Sequence, residues 1–140
     1  MNWILPIILV LIVAGGFTFY FYRPKKQKRT ESIYTHALNA MVRGDTRTAL
    51  KHLRDVVKQD TNHIDAYLQM GDILREEGNA QAAVKIHQSL TVRPNLNNDI
   101  SRDIHQSLAL DFEQIGHLNK AKREAELVLK LDRKNLWANE

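Results

Sequence analysis

No cysteine occurs among the 140 residues of the chain. This absence excludes disulfide bonds, cysteine-based zinc sites and thiol catalysis within these residues. The sequence also lacks a glycine-rich phosphate loop, a G-x-S-x-G nucleophile turn and an H-E-x-x-H metal pair. Its six histidines are scattered along the chain. We therefore predict a protein that is not an enzyme, with no catalytic residue, no metal site and no cofactor in this segment.

A basic surface of the kind that binds nucleic acid is missing as well. The whole chain has a formal net charge of +4, but five bases are concentrated within residues 23–29. From Thr30 onward, 15 basic residues face 16 acidic residues, a net charge of −1. Because phosphate recognition needs an excess of Lys and Arg on one face, nucleic acid is not expected as a partner.

Charge is absent altogether from residues 3–22, which are mostly apolar. Twenty helical residues span about 30 Å, which is the thickness of the hydrocarbon core of a bilayer. A cleavable signal peptide would need a charged region before the apolar run and a small-residue cleavage site after it. A buried core helix of this length would be unusual in so small a domain. We therefore predict a single transmembrane helix over residues 1–22.

A basic tether over residues 23–29 follows this apolar run at once. Lysine and arginine are enriched on the cytoplasmic side of membrane helices, so the tether predicts that the carboxyl side is cytoplasmic. The bases that form this membrane flank are Arg23, Lys25, Lys26, Lys28 and Arg29.

Small residues recur at fixed intervals in the rest of the chain. Gly44, Gly78 and Gly116 are separated by 34 and then 38 residues, and Ala49, Ala83 and Ala121 have the same spacing. A period of 34 is typical of the tetratricopeptide repeat, a helix–turn–helix unit. We therefore predict an all-α protein in which the anchor is followed by a tetratricopeptide α-solenoid. The residues expected to pack within and between its units are Ala37, Gly44, Ala49, Tyr67, Gly71, Leu74, Gly78, Ala83, Phe112, Gly116 and Ala121.

The period also predicts where the units and their helices lie. Three units occupy residues 30–63, 64–97 and 102–135, an insert occupies residues 98–101, and a truncated fourth unit begins at residues 136–140. We expect helices over residues 31–43, 46–59, 64–77, 80–92, 99–115 and 118–131. The four inserted residues should lengthen either the start of the fifth helix or the loop before it.

Two groups of polar residues on these helices have a simple structural interpretation. Asp72, Glu76 and Glu77 lie on a helix whose other face is apolar, which is typical of a solvated surface. His87 occupies a position that is usually apolar, and we expect it to pack at a unit boundary with one ring nitrogen hydrogen-bonded.

A stacked array of this kind presents a concave groove, which favours protein partners. Its expected lining is apolar near the amino end and acidic and polar farther along, which suits a segment that carries apolar and basic residues. Another copy of the chain, or the tether, is the alternative cover for part of the apolar surface. The groove residues are predicted to be Tyr34, Leu38, Met41, Asp65, Leu68, Gln69, Asp72, Arg75, Asp103, Gln106, Leu110 and Glu113, with Ser107 beside them.

Two segments of the second unit give a closer resemblance. Residues 71–78 (Gly-Asp-Ile-Leu-Arg-Glu-Glu-Gly) and 83–90 (Ala-Val-Lys-Ile-His-Gln-Ser-Leu) are similar to the lipopolysaccharide assembly protein B family. The resemblance implies a bacterial inner-membrane adaptor that binds a membrane protease and the lipid A pathway enzyme it degrades, and so restrains lipopolysaccharide synthesis. The alternative is an envelope-side assembly factor for pili, cytochromes or outer-membrane proteins.

The resemblance also concerns the length of the protein. Residues 132–139 align with residues 60–67, so we expect the sequence to stop within the first helix of a further unit. Family members carry more repeats and a four-cysteine zinc ribbon at the carboxyl end. We therefore expect the natural protein to continue in this way beyond Glu140.

Overall fold

A computed structural model describes the backbone of residues 3–139 and the side chains of this range except residues 4, 5 and 19–26. The described chain is all-helical, as predicted. Its elements are α1 (Ile4–Val42), α2 (Thr46–Gln59), α3 (Ile64–Glu76), α4 (Ala80–Thr91), α5 (Asn98–Gln114), α6 (Leu118–Leu131) and a short 3-10 helix (Trp137–Asn139). Consecutive helices pack as antiparallel pairs, and each pair stacks on the next, which is the architecture the repeat predicts.

The first helix corrects the prediction of a separate membrane anchor. α1 runs without a break for 39 residues, so the apolar run, the basic tether and the first repeat helix form one element. Among the described residues, no helix combines the length and the apolarity that crossing a bilayer requires. On the described residues, the predicted transmembrane helix is therefore wrong.

The predicted membrane flank falls partly outside what the structure describes. The side chains of Arg23, Lys25 and Lys26 lie outside the described residues, whereas Lys28 and Arg29 are exposed on α1.

The three glycines with the repeat spacing end the first helix of each unit. Gly44, Gly78 and Gly116 have φ values of +73°, +86° and +76°, a region that favours glycine because it has no Cβ. In each turn the residue after the glycine donates its backbone N–H to the carbonyl five residues before it, as in a Schellman motif. That next residue also begins the following helix, and Asp45 and Asn79 accept hydrogen bonds from Thr48 and Ala82 there.

The four inserted residues lengthen a helix rather than a loop. α3 contains 13 residues and α5 contains 17, and α5 begins 34 residues after α3 although their glycine turns are 38 apart. The insertion therefore adds about one turn to α5. Because both helices keep their Gly turns, the added turn lies at the amino end of α5.

Two apolar clusters hold the units together. The first joins the first unit to α3 and is built from small and aliphatic side chains such as Ala40, Leu53 and Ile73. The second joins the second unit to α5, with Leu90, Leu108 and Phe112 at its centre. The predicted packing residues Ala37, Ala49 and Ala83 are all fully buried, and Tyr67, Leu74 and Ala121 are partly buried against these clusters.

Candidate functional site

The first helices of the three units enclose a cleft of about 410 Å³. Tyr34 reaches it from α1, and the rest of the lining comes from the facing surfaces of α3 and α5. Its lining consists of Tyr34, Asp65, Leu68, Gln69, Asp72, Arg75, Asp103, Gln106, Ser107 and Leu110. The structure thus brings most of the predicted groove residues to one place, although whether they bind a partner stays a prediction.

Three of the predicted groove residues lie elsewhere. Leu38 is 37% exposed on α1, and Glu113 is exposed on α5, but neither lines the cleft. Met41 packs against the first apolar cluster instead. The repeat pattern alone therefore does not identify which residues near the carboxyl ends of α1 and α5 line the cleft.

Tyr34 marks the amino-terminal end of the cleft. Its ring packs against the His63 ring, with 4.5 Å between the ring centroids. Burial raises the pKa of the Tyr34 phenol above its ordinary value, and the nearby carboxylates of Asp65 and Glu31 raise it further. The phenol therefore stays protonated and can donate a hydrogen bond at neutral pH.

Arg75 is the one cation among the ten lining residues, and two carboxylates hold it. Its Nη1 donates to Asp72 Oδ1 at 2.7 Å and to Asp111 Oδ1 at 3.1 Å. Burial alone would lower the Arg75 pKa, but the charges of Asp72 and Asp111 and the hydrogen bonds to them outweigh burial and raise it. Ser107 Oγ donates to the same Asp72 oxygen at 3.1 Å. Asp72 is therefore part of an inter-unit contact, which corrects its assignment to a purely solvated face, whereas Glu76 and Glu77 are exposed as predicted.

His87 and Asp111 form a fully buried pair next to this arginine, and Asp111 accepts one of its hydrogen bonds. His87 Nδ1 lies 2.6 Å from Asp111 Oδ2, and Nε2 lies 3.2 Å from the Leu68 carbonyl oxygen. Both ring nitrogens are therefore bonded, where the sequence predicted one. A carbonyl oxygen only accepts hydrogen bonds, so Nε2 carries a proton, and Nδ1 faces a carboxylate. With Arg75 and Asp72, which are partly buried, the pair forms one hydrogen-bonded group that we call the buried group.

Gly71 makes room for this pair. A Cβ at Gly71 would lie 2.6 Å from Cε1 and 2.8 Å from Cδ2 of the His87 ring, and closer still to Nε2. Such distances are not tolerated, so the ring occupies the space that a side chain would need. The position of the His87 ring therefore requires glycine at position 71, and the two residues occur together in the second unit.

Sequence reasoning missed Asp111, the residue that links α5 to both α3 and α4. It lies between Ala109 and Phe112, which are also buried, and is itself fully buried. Two features of the sequence could have indicated this contact. Asp111 stands on an otherwise apolar helix face, and the neighbouring unit has a histidine, His87, at a position that is usually apolar. Among the described residues, no group of three or more His, Asp or Glu side chains is arranged to hold a metal ion.

The repeating turns, the stacked helix pairs and the concave cleft define the class of the protein: it has the tetratricopeptide-repeat fold. Solved structures agree, since the chain superposes on the crystal structure of MamA with a TM-score of 0.68, 21% identity, and coverage of 78% of this chain and 61% of that one. It also superposes on a tetratricopeptide repeat protein from Parabacteroides merdae with a TM-score of 0.69 and 18% identity, covering 79% of this chain and 43% of that one.

Among curated proteins, the chain is similar to lipopolysaccharide assembly protein B of Escherichia coli strain K12. The two are 25% identical over 123 residues, which cover 83% of this chain. This confirms the resemblance that residues 71–78 and 83–90 indicate. The chain spans about a third of the length of that relative (32%). No protein-family model matches the chain.

Proposed function

We propose that this protein is a tetratricopeptide scaffold that binds a segment of a partner protein in the cleft between α1, α3 and α5. The observation that carries the proposal is the cleft itself: a concave space of about 410 Å³ lined by side chains from all three units. Leu68 and Leu110 offer apolar contacts, whereas Gln69 and Gln106 carry amides that can bond a peptide backbone. A partner segment that lies across the three units would contact all of them, so its affinity would depend on how the units are placed relative to one another.

The likeness to lipopolysaccharide assembly protein B gives the proposal its more specific form. In that form the protein acts in lipopolysaccharide assembly, on the cytoplasmic side of the bacterial inner membrane. There it brings a membrane protease together with that protease's substrate from the lipid A pathway. This form is supported by the sequence likeness alone, and the chain spans 32% of that relative.

Site-specific photocrosslinking tests the cleft. A photoreactive residue at Gln106, in the cleft, should crosslink to a defined protein in cells that make lipopolysaccharide. The same residue at Lys85, which is exposed on α4 and away from the cleft, is the matched control and should not crosslink to it. Crosslinks from the Lys85 position only would place the partner on the outer surface and overturn the proposal.

A second measurement addresses the pathway. Cells that lack the gene should show an altered amount of lipopolysaccharide, restored by the native protein and not by a cleft variant with Gln69→Lys and Gln106→Lys. Unchanged lipopolysaccharide in the deletion strain would reject the pathway while leaving the scaffold proposal to the crosslinking result.

A further inference from the structure

One carboxylate stands at the same position in each unit. Glu31, Asp65 and Asp103 each lie 13 residues before the glycine that ends the first helix of their unit, and all three are exposed. We call these three residues the acidic ladder. Because equivalent positions of stacked repeats lie side by side, the ladder runs across the units rather than along one helix.

The ladder borders the cleft. Asp65 and Asp103 both line it together with Tyr34. Glu31 and Asp65 are both close enough to Tyr34 to act on its phenol. The three carboxylates therefore belong to one continuous surface that begins beside Tyr34 and ends on α5.

Nearby cations do not cancel this negative surface. Arg75 is only 14% exposed at its side chain and is balanced within the buried group by Asp72 and Asp111. Arg102 donates to Asp103 Oδ1 from Nε at 3.1 Å and from Nη2 at 2.9 Å, and its Nη1 donates to Asp99 at 3.0 Å, so this cation is already engaged. Exposed pairs of this kind contribute little to stability and exchange readily with a competing cation. The cleft thus presents carboxylates and no available base.

From this charge pattern we propose, building on the proposed function, that the occupant of the cleft is an extended segment with basic side chains on the acidic ladder. Carboxylates that line a concave, partly desolvated surface favour Arg or Lys and disfavour acidic segments. Leu110 and the largely buried Leu68 line the cleft on the glycine-turn side of the ladder and receive apolar side chains of the same segment.

The geometry of the array also sets the spacing of the basic residues. Neighbouring packed helices lie about 10 Å apart. In the polyproline II conformation a chain has three residues per turn and advances about 3.1 Å per residue, so basic residues three positions apart lie on the same side about 9 Å apart and reach Asp65 and Asp103 together. The structure therefore predicts a preference for spacing as well as for charge.

Fluorescence anisotropy with short labelled peptides tests both preferences. The first peptide carries Arg at every third position with Leu and Ala between, the second has the same composition with the Arg residues adjacent, and the third has Glu in place of Arg. We expect the first peptide to bind about tenfold more tightly than the third and at least threefold more tightly than the second, and its affinity should fall as salt is raised.

Two double variants that remove the same amount of charge distinguish an effect of the acidic ladder from an effect of the net charge of the protein. Asp65→Asn with Asp103→Asn should weaken the first peptide about tenfold. Glu77→Gln with Glu126→Gln, both exposed and outside the cleft, should change it less than twofold. Circular dichroism melting curves of both variants show whether each remains folded.

The outcomes distinguish this inference from the proposed function. Equal losses in the two double variants, or equal binding of the Arg and Glu peptides, would overturn the inference. Crosslinking of a partner from Gln106 combined with no preference for the basic peptides would also overturn it while the proposed function stands. Crosslinking from Lys85 alone would reject both.

Discussion

The two unit boundaries of this array are built differently. The first, where the first unit meets α3, is held by aliphatic side chains such as Leu53, Val56 and Ile73. The second, where the second unit meets α5, has an apolar cluster and in addition the buried group of His87, Asp111, Arg75 and Asp72. Apolar contacts tolerate small shifts, whereas hydrogen bonds between buried charged groups need defined distances and angles.

The polar boundary is also the one where the repeat changes its period. Three hydrogen bonds join α3 and α5 across it at different sequence separations: Ser107 with Asp72, Asp111 with Arg75, and the Gln114 amide with the Arg75 carbonyl. Together they fix how α5 lies along α3 although α5 is one turn longer. The comparison teaches that apolar packing suffices at the regular boundary, and that directional contacts define the alignment at the irregular one.

Removing Asp111 should break the second boundary most severely. Asp111→Ala leaves His87 and Arg75 without their shared carboxylate, and loss of one partner of a buried ion pair costs about 3–5 kcal/mol. Urea unfolding curves followed by circular dichroism measure this loss. Asp111→Asn removes the same charge but keeps the shape and one acceptor, so it should also destabilise the protein, by less than Asp111→Ala, and an unfolding curve unchanged by Asp111→Asn would contradict the role given to the buried charges.

Truncation at the first boundary should cost slightly less. Leu53 is fully buried in the first cluster, and Leu→Ala changes in cores cost about 2–5 kcal/mol, here without any change in hydrogen bonding. Combined with Asp111→Ala, the two losses should add, because the sites have no common partner. Strong non-additivity in the same unfolding measurement would show that the boundaries are not independent.

A smaller effect is expected where Gly71 meets His87. Gly71→Ala should destabilise the protein by about 2 kcal/mol, because the new Cβ would overlap the imidazole. Gly15→Ala is the control, since a Cβ there has nothing within 4 Å. If the overlap is the cause, the double variant Gly71→Ala, His87→Ala should lose less than the sum of its single variants, and a melting point unchanged by Gly71→Ala would refute the contact.

The smallest effect concerns pH and the cap of α2. The hydrogen bonds with Thr48 lower the pKa of Asp45, which is fully exposed. Its contribution to stability is therefore present above the ordinary pKa of aspartate, about 4, and is lost as the pH falls through the lower pKa of the folded state. Asp45→Asn should remove this dependence, and melting curves between acidic and neutral pH should then show a flatter profile than in the native protein.

The sequence predicts the regular features of this molecule well. The spacing of Gly44, Gly78 and Gly116 predicts the turn inside each of the three units, because only a residue without Cβ adopts that backbone conformation easily. The predicted helices over residues 46–59 and 118–131 coincide with α2 and α6. Groove residues on α3 and α5 also come together in the cleft, since repeat geometry fixes which helix face is concave.

The sequence predicts irregular features poorly, and each failure has a physical cause. The tether contains Pro24, a residue that favours a helix boundary, so the sequence gives no sign that α1 continues through the tether. Apolar periodicity also overlooks Asp111, since it counts a polar residue as a surface position. The contact between Asp111 and His87 depends on two helices from different units, and no local pattern encodes such a pair.

The added turn of α5 gives the array a direction. The hydrogen bond from the Gln114 amide to the Arg75 carbonyl keeps the glycine turns of the two helices nearly level, so the four added residues of α5 project about 6 Å beyond the level at which α3 begins. One end of the surface formed by these helices is therefore stepped, whereas the Gly turns at the other end are level. A chain laid across the two helices meets unlike ends, so its two possible orientations, amino end first or carboxyl end first, are no longer equivalent.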